Sequence, residues 1–101
     1  MKRPLPVKTA LTAKEIGENL ASWRKMLGLS SQQVAERAAV ARTTVSKLEN
    51  GDSSVSFATF LNVARALGIL DAVALSTDPY ETDLGRARAD QALPQRVRKR
   101  R

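Results

Sequence analysis

The chain has 101 residues, of which 43% are hydrophobic and only 4% aromatic, so it has room for one domain with a core of Leu, Val and Ala. It contains no Cys and no His, which excludes disulfides and thiolate metal sites and removes the usual nucleophile–base pairs. No apolar run approaches the roughly 18 residues of a membrane span, and the first residues lack the apolar core of a signal peptide. We therefore expect a cytoplasmic protein that is not an enzyme, needs no cofactor and has no membrane partner.

The net charge of +7 is concentrated at the two ends of the chain. Residues 1–13 carry +3 and residues 86–101 carry +6, whereas residues 14–85 carry −2. A basic balance is typical of proteins that bind nucleic acids. Because the middle of the chain is not basic, a DNA-binding surface there must depend on where individual side chains point.

The first predicted helix follows an arm, residues 1–11, which contains two prolines and no hydrophobic periodicity. Thr12 and Glu15 have the spacing of a capping box, so we predict a helix that begins there and continues to about Leu27. Gly28 is its stop signal. Apolar residues recur along one face of this helix, at spacings of four, three and four: Ile16, Leu20, Trp23 and Leu27. This stripe favours a core position for Trp23 over stacking on nucleic acid.

Two short helices separated by a tight break come next. Ser30 and Gln33 form a second capping-box pattern, which predicts a helix to about Ala38, and a third helix is predicted from Arg42 to Glu49. The residues expected to face inward are Val34, Ala38, Val45 and Leu48. The opposite face of the third helix then presents Arg42, Thr43, Ser46 and Lys47. Two helices joined in this way are an arrangement by which small proteins place side chains into a DNA groove.

Two further helices are predicted before the periodic pattern ends. Ser56 caps a fourth helix that Gly68 stops, and residues 70–75 form a short fifth segment that is apolar on more than one side. The inward positions of the fourth helix are Phe57, Phe60, Leu61, Ala64 and Leu67. Residues 76–101, acidic at first and then basic, are predicted to be a disordered or extended basic tail. The predicted domain is all-α, spans residues 12–75 and contains five helices.

Several of these features occur together in one known family. They are Leu20 and Arg24, the segments 29–35 and 45–51, and the stop at Leu67-Gly68. In this order and spacing, residues 20–68 resemble the Xre family, the helix-turn-helix domains of the phage Cro and C repressors. The resemblance implies a five-helix, lambda-repressor-like domain.

The resemblance also implies an ion pair between Arg24 and Glu49, which would tie the first helix to the end of the third. The sequence departs from the family in the turn before the third helix, where Ala39 and Ala41 stand in place of a Gly and a hydroxyl cap. Loss of such a cap costs roughly 0.5–2 kcal/mol. We expect this departure to lower stability without changing the fold.

The resemblance assigns DNA contacts to the second and third helices. Arg42, Thr43 and Lys47 are expected to read base edges, since Arg and Lys bond guanine and the Thr methyl group suits thymine. The residues expected at phosphate or sugar are Ser31, Gln32, Thr44, Ser46 and Asn50. The alternatives are a solvated polar face for the third helix and plain helix capping for Ser31 and Asn50.

The fifth segment is the predicted dimer contact, through Leu70, Val73 and Leu75. Two copies would place their recognition helices about one DNA turn apart, roughly 34 Å, and would require a palindromic operator in double-stranded DNA. The alternative is that this segment completes the core of the monomer.

The basic tail ends in LPQRVRKRR, in which five of the last six residues are basic. Such a cluster either binds phosphate without sequence preference or is a solvated disordered end. A helix-turn-helix domain followed by this tail resembles the HipB-like regulators, which implies a homodimeric, nucleoid-associated autorepressor that acts as antitoxin to a HipA-type kinase toxin. A free-standing phage-type repressor and a protein-interaction adaptor with the same fold remain the alternatives.

Overall fold

The computed structural model describes residues 3–93, and over that range the chain forms six α-helices and one 3₁₀ helix without a β-strand. The α-helices are α1 (Val7–Met26), α2 (Ser31–Ala38), α3 (Arg42–Glu49), α4 (Phe57–Leu67), α5 (Leu70–Ser76) and α6 (Asp83–Ala92); the 3₁₀ helix is Pro79–Glu81. The all-helical prediction is confirmed. None of these helices has the length and apolar character that crossing a membrane requires. The chain divides into two compact units, the first ending at Leu70 and the second beginning at Asp71.

Helix α1 begins five residues earlier than the sequence pattern indicates, and the predicted arm over residues 1–11 is wrong from Val7 onwards. Pro6 is its N-cap and supplies the first carbonyl, which accepts from Ala10 N at 3.0 Å. A proline suits this position because its φ is already close to the helical value and the first turn does not need its N–H. The capping box at Thr12 is wrong as well, since the Thr12 hydroxyl donates to the Lys8 carbonyl at 2.8 Å within the helix.

The core of the first unit lies between α1, α2, α3 and α4. Its buried side chains are Leu20, Val34, Ala35, Ala38, Val45, Leu48, Val63 and Leu67. The predicted stripe on α1 is only partly buried: Ile16, Trp23 and Leu27 are 41%, 40% and 47% exposed. The line of α1 that is buried runs instead through Gly17 and Leu20.

The inward face of α4 agrees with the prediction at Ala64 and Leu67 and differs at the start of the helix. Val63, Ala64 and Leu67 are buried, whereas Phe57 is 71% exposed. Phe57 is the first residue of the helix, at the edge of the inward face, and its ring stacks on Phe60 with centroids 6.4 Å apart. The assignment of Phe57 to the core is therefore wrong.

Helices α2 and α3 have the predicted bounds, and the turn between them has an uncommon backbone. Ser30 and Gln33 form the expected capping box: Gln33 N donates to Ser30 Oγ at 3.0 Å, and Ser30 N donates to Gln33 Oε1 at 2.8 Å. Ala39 ends α2 with φ +58°, in the left-handed region. Ala41 is the N-cap of α3 and makes no side-chain capping bond. The two departures from the family pattern therefore fall where a Gly and a hydroxyl have a physical use.

The second unit contains more regular structure than predicted, and the disordered or extended tail is wrong for residues 83–92. Thr82 caps α6 by accepting from Gly85 N at 2.9 Å, and Arg86 forms an ion pair with Asp83 one turn away. Alanines at three of the ten positions of α6 add helix propensity. The predicted count of five helices becomes six for this reason. The basic cluster over residues 94–101 lies outside the described residues.

Candidate nucleic-acid interface

Helix α3 has one buried face and one free face. Val45 and Leu48 are buried in the core, where α3 lies against α2 and α1. The side chains of Arg42, Thr43, Ser46 and Lys47 are exposed, and Thr44 is half-buried between the two faces. An eight-residue helix held in this way presents guanidinium, hydroxyl, methyl and ammonium groups within two turns. We call these four exposed residues the polar face of α3.

The second part of the candidate interface is the amino end of α2, the helix that precedes α3 in the chain. Ser31 is the first residue of α2 and is half-buried, and its neighbour Gln32 is exposed, with Nε2 donating to Glu36 Oε2 at 3.1 Å. The first amides of a helix favour an anion through their free N–H groups and the helix dipole. Because Ser30 already caps the Gln33 amide, Ser31 is not needed as the cap, and its hydroxyl is left for another role.

Asn50 ends α3. Its backbone N–H donates to Ser46 O at 3.0 Å, and its side chain is exposed. Gly51 follows with φ +79°, a conformation that glycine adopts without strain. The sequence Glu49-Asn50-Gly51 therefore stops the helix as the pattern indicates, and the Asn50 side chain is free to face a ligand.

Arg24 and Glu49 form a two-point ion pair between α1 and the last residue of α3. Arg24 Nε lies 2.8 Å from Glu49 Oε2, and Nη2 donates to Oε1 at 3.1 Å. The guanidinium also donates through Nη1 to the Leu29 carbonyl at 3.2 Å, so it joins three segments of the chain. The Arg24 and Glu49 side chains are 15% and 14% exposed. A pair this shielded holds its geometry better than a surface pair does.

The same contact shifts the ionisation of Arg24. Its hydrogen bond to Glu49 raises the pKa of the Arg24 guanidinium, the carboxylate's attraction adds to this, and partial burial opposes it. A raised pKa in the folded state stabilises the fold at every pH below the unfolded value and is lost only as the pH rises through the folded one. Since the guanidinium is charged far above neutral pH, Arg24 does not titrate in any ordinary buffer.

Two residues of this region were missed by the sequence analysis. Gly17 lies where a Cβ atom would come within 2.6 Å of both the Leu48 and the Glu49 carbonyl oxygen. Arg65 of α4 donates through Nη2 to the Arg37 carbonyl at 3.1 Å, near the end of α2. The first could have been recognised, because a glycine inside a helical pattern lowers helix propensity and indicates a packing reason. The second leaves no local signal in the sequence.

The fold and this site together define a class of protein. It is a small helical domain in which one helix, α3, exposes a polar face and buries the other in the core, and a second helix, α2, contributes its amino end. A helix-turn-helix family model, HTH_3, of the Xre/Cro type, matches residues 20–72, slightly more than half of the chain. The chain belongs to this helix-turn-helix family. Membership indicates a DNA-binding transcription regulator. The comparisons with curated proteins and with solved structures gave no match.

Proposed function

We propose that this protein is a homodimeric transcription regulator that binds a palindromic operator in double-stranded DNA and represses its own expression. The observation that carries the proposal is the polar face of α3, exposed on one side and fixed on the other by buried Val45 and Leu48. The major groove, about 12 Å wide, admits an α-helix and displays a distinct pattern of donors and acceptors for each base pair.

Within this proposal, Arg42, Thr43 and Lys47 read base edges. They lie in the first two turns of α3, and the amino-terminal residues of a recognition helix are the ones that reach the bases. Arg42 suits guanine O6 and N7, Lys47 makes a looser contact of the same kind, and the Thr43 methyl group suits thymine. Each of the three side chains is exposed, so none must leave a folded contact with the core to do this.

Phosphate contacts fix the position of the recognition helix on the duplex. Exposed Gln32 and half-buried Ser31 stand at the start of α2, and Asn50 at the end of α3. Thr44 and Ser46 lie between the base-reading residues and supply further hydroxyls for phosphate or sugar. Such contacts position a protein and carry no sequence information of their own.

The dimer contact proposed for Leu70, Val73 and Leu75 lies in α5. This helix has no buried residue although three of its seven positions are Leu or Val, and a second copy would cover them. Two-fold symmetry would set the recognition helices roughly 34 Å apart, which requires a palindromic operator. Val73→Asp tests the contact: sedimentation should show a monomer, and a footprint should shrink to a half-site. A dimer that survives this change excludes α5 as the interface.

The first experiment is a salt-titrated binding assay of the purified protein on the DNA upstream of its own gene, against a shuffled duplex of equal composition. Specific binders prefer their site by roughly a thousandfold or more. We expect that preference, together with a palindromic footprint. Equal and steeply salt-dependent binding to both duplexes would contradict sequence-specific regulation, because it would reflect phosphate binding alone.

A variant pair separates readout from charge. Lys47→Ala removes one positive charge from the polar face of α3, and Lys25→Ala removes one from an exposed position on α1. If Lys47 reads a base, its loss lowers the preference for the operator, whereas the loss of Lys25 lowers affinity for both duplexes alike or leaves it unchanged. Equal effects of the two changes would favour the adaptor alternative, in which the polar face is only solvated.

We further propose that the protein acts as the antitoxin of a HipA-type kinase toxin. The tail sequence LPQRVRKRR after the helix-turn-helix domain supports this through its resemblance to HipB-like regulators. Co-expression with a kinase encoded beside the gene should give a stable complex that no longer arrests growth. A complex that forms equally well when residues 93–101 are deleted would remove the tail from this role, and a kinase that stays toxic would remove the role itself.

A further inference from the structure

Helix α1 and the end of α3 approach each other at backbone distance. A Cβ atom added to Gly17 would lie 2.6 Å from the carbonyl oxygens of Leu48 and Glu49 and 2.8 Å from the Glu49 carbonyl carbon. Ordinary carbon–oxygen contacts are about 3.3 Å or longer. Both contacting groups belong to the backbone of the last turn of α3, so no side-chain rotation can make room for a larger residue.

A second glycine makes the reciprocal contact. A Cβ atom on Gly51, which follows the C-cap Asn50, would lie 2.6 Å from the Lys14 Cα atom and 2.9 Å from the Lys14 nitrogen. Each segment thus contributes a glycine at the place where the backbone of the other passes. We call Gly17 and Gly51 the glycine pair.

The contact adjoins the ion pair between Arg24 and Glu49. Gly17 and Arg24 are seven residues apart, two turns along the same side of α1, and both meet the last turn of α3. The ion pair pulls the two helices together through long side chains, whereas the glycine pair sets how closely they approach. Direct backbone contact therefore sets the separation of α1 and α3 at this crossing, and the ion pair holds the two helices in that contact.

We propose that Gly17 is a positioning residue for DNA recognition: by letting α1 lie directly against the Leu48 and Glu49 carbonyls, it fixes the angle at which α3 presents Arg42, Thr43 and Lys47. This inference rests on the proposed function. A helix rises about 1.5 Å per residue, so Arg42 is roughly 9 Å from the contact at Leu48. A tilt of about 10° at that contact would move Arg42 by about 1.5 Å, whereas a recognition site tolerates about 0.5 Å.

Gly17→Ala is expected to be unfavourable, the opposite of what helix propensity alone predicts. In the interior of an ordinary helix, alanine is favoured over glycine by its propensity. Here the added methyl group must instead push α3 away by about 0.7 Å, the shortfall from a normal carbon–oxygen contact. The expected consequence is a loss of operator discrimination, with little change in binding to unrelated DNA, because phosphate contacts tolerate small rotations better than bidentate base contacts do.

The test compares Gly17→Ala with the wild type on two duplexes, one selected by the wild type from a random pool and one scrambled. The measured quantity is the ratio of the two affinities at fixed salt. We expect Gly17→Ala to lower this ratio about tenfold or more, the effect of losing one good base contact, while affinity for the scrambled duplex stays within about twofold.

Gly28→Ala is the matched control. Gly28 has φ +71° and open space around the missing Cβ, so alanine there costs stability through backbone strain without displacing a helix. The ratio of the affinities of Gly28→Ala for the selected and the scrambled duplex should equal that of the wild type. If Gly17→Ala keeps the wild-type ratio, or loses no more of it than Gly28→Ala at equal stability, the inference is overturned.

Two further outcomes, a variant that does not fold and a wild type without sequence preference, also have a defined meaning. If Gly17→Ala does not fold at the assay temperature, the comparison is repeated in an Ala39→Gly background, which relieves a strained residue elsewhere. Failure to fold there too would make Gly17 a determinant of the fold and would overturn its role in presentation. If the wild type itself selects no sequence, the proposed function fails and this inference falls with it; that result is visible before any variant is made.

Discussion

At the scale of single residues, the groups that would read DNA and the groups that hold α3 in place are separate. Arg42, Thr43 and Lys47 have exposed side chains, whereas Arg24 and Glu49 are mostly shielded and bonded to each other. Changes at the two sets should consequently give different phenotypes. Under the proposed function, changes in the first set should alter which sequence is bound, and changes in the second set should alter folding together with binding.

Arg42→Ala should weaken operator binding by about 1–3 kcal/mol and relax the sequence preference at one base position of each half-site. The physical reason is the loss of a bidentate contact to guanine. Selection of binding sites from a random pool, carried out with wild type and variant, measures both quantities. Loss of affinity spread evenly over all positions would assign Arg42 to phosphate instead.

Arg24→Ala should lower the free energy of unfolding by about 1.5–3 kcal/mol, the range for hydrogen bonds to charged groups, because it leaves the shielded Glu49 carboxylate without its partner. Arg24→Lys should recover little of this, since a single ammonium nitrogen cannot reproduce the planar fork with which the guanidinium reaches both Glu49 oxygens. Denaturant titration measures the change, and Lys25→Ala, at an exposed position of the same helix, serves as the control. A lysine variant as stable as the wild type would mean that the two-point geometry is unimportant.

At the scale of elements, the sequence predicts the end of a helix well where a local cap or a glycine marks it. The start of α2 follows from Ser30 and Gln33, and the stops of α3 and α4 follow from Asn50 and Gly68, all of which act within a few residues. The start of α1 differs from the prediction because Thr12 does not act as a cap: its hydroxyl bonds the Lys8 carbonyl inside the helix, which runs back to Pro6 over residues that are all exposed. Helix α6 was missed because its stabilising contacts, Thr82 to Gly85 and Arg86 to Tyr80, are polar and leave no apolar periodicity.

The candidate site was predictable in part for the same kind of reason. The polar face of α3 follows from the spacing of Val45 and Leu48, which any helical projection reveals. The contact at Gly17 depends on the crossing of two helices that are distant in sequence, and no spacing within α1 records how close α3 comes. Exposure of Phe57 likewise depends on the direction from which other helices approach α4.

The turn between α2 and α3 offers a test at this scale. Ala39 has φ +58°, and a residue with a Cβ atom in the left-handed region loses roughly 1–2 kcal/mol relative to glycine. Replacing Ala39 by glycine removes this strain, but the greater conformational freedom of glycine in the unfolded chain cancels part of the stabilisation. Ala39→Gly should thus raise the free energy of unfolding by about 1 kcal/mol.

Ala10→Gly, inside α1, is the control, because the same substitution should there have the opposite effect: glycine within a helix lowers the free energy of unfolding by about 0.5–1 kcal/mol. Thermal unfolding of both variants, with a denaturant series to check that the transition stays two-state, gives the comparison. A loss of stability in both variants would mean that the left-handed conformation is not the one adopted in solution.

At the scale of the whole molecule, charge is distributed so that the ends of the chain are basic and the middle is not. Under the proposed function, the polar face of α3 would supply shape and hydrogen bonding, and the basic ends would supply most of the long-range attraction to phosphate. In such a protein, sequence specificity and salt-dependent affinity would depend on different groups and could be changed separately.

Deletion of residues 94–101 should weaken binding to operator and unrelated DNA by the same factor. It removes five basic residues, and each phosphate no longer neutralised makes the negative slope of log affinity against log salt shallower by about 0.9. Binding curves at several salt concentrations on both duplexes measure the slope. A deletion that alters the preferred sequence would show that the tail takes part in readout.

The backbone contact at Gly17 has a consequence for how such a protein can diversify. Because carbonyl groups rather than side chains face Gly17, the contact does not depend on which residues α3 carries at positions 42, 43 and 47. If these three positions set the specificity, as proposed, they can be exchanged as a set without a compensating change in α1, so that the scaffold and its specificity can be inherited separately. A side chain at position 17, by contrast, has no partner residue whose substitution could restore the fit.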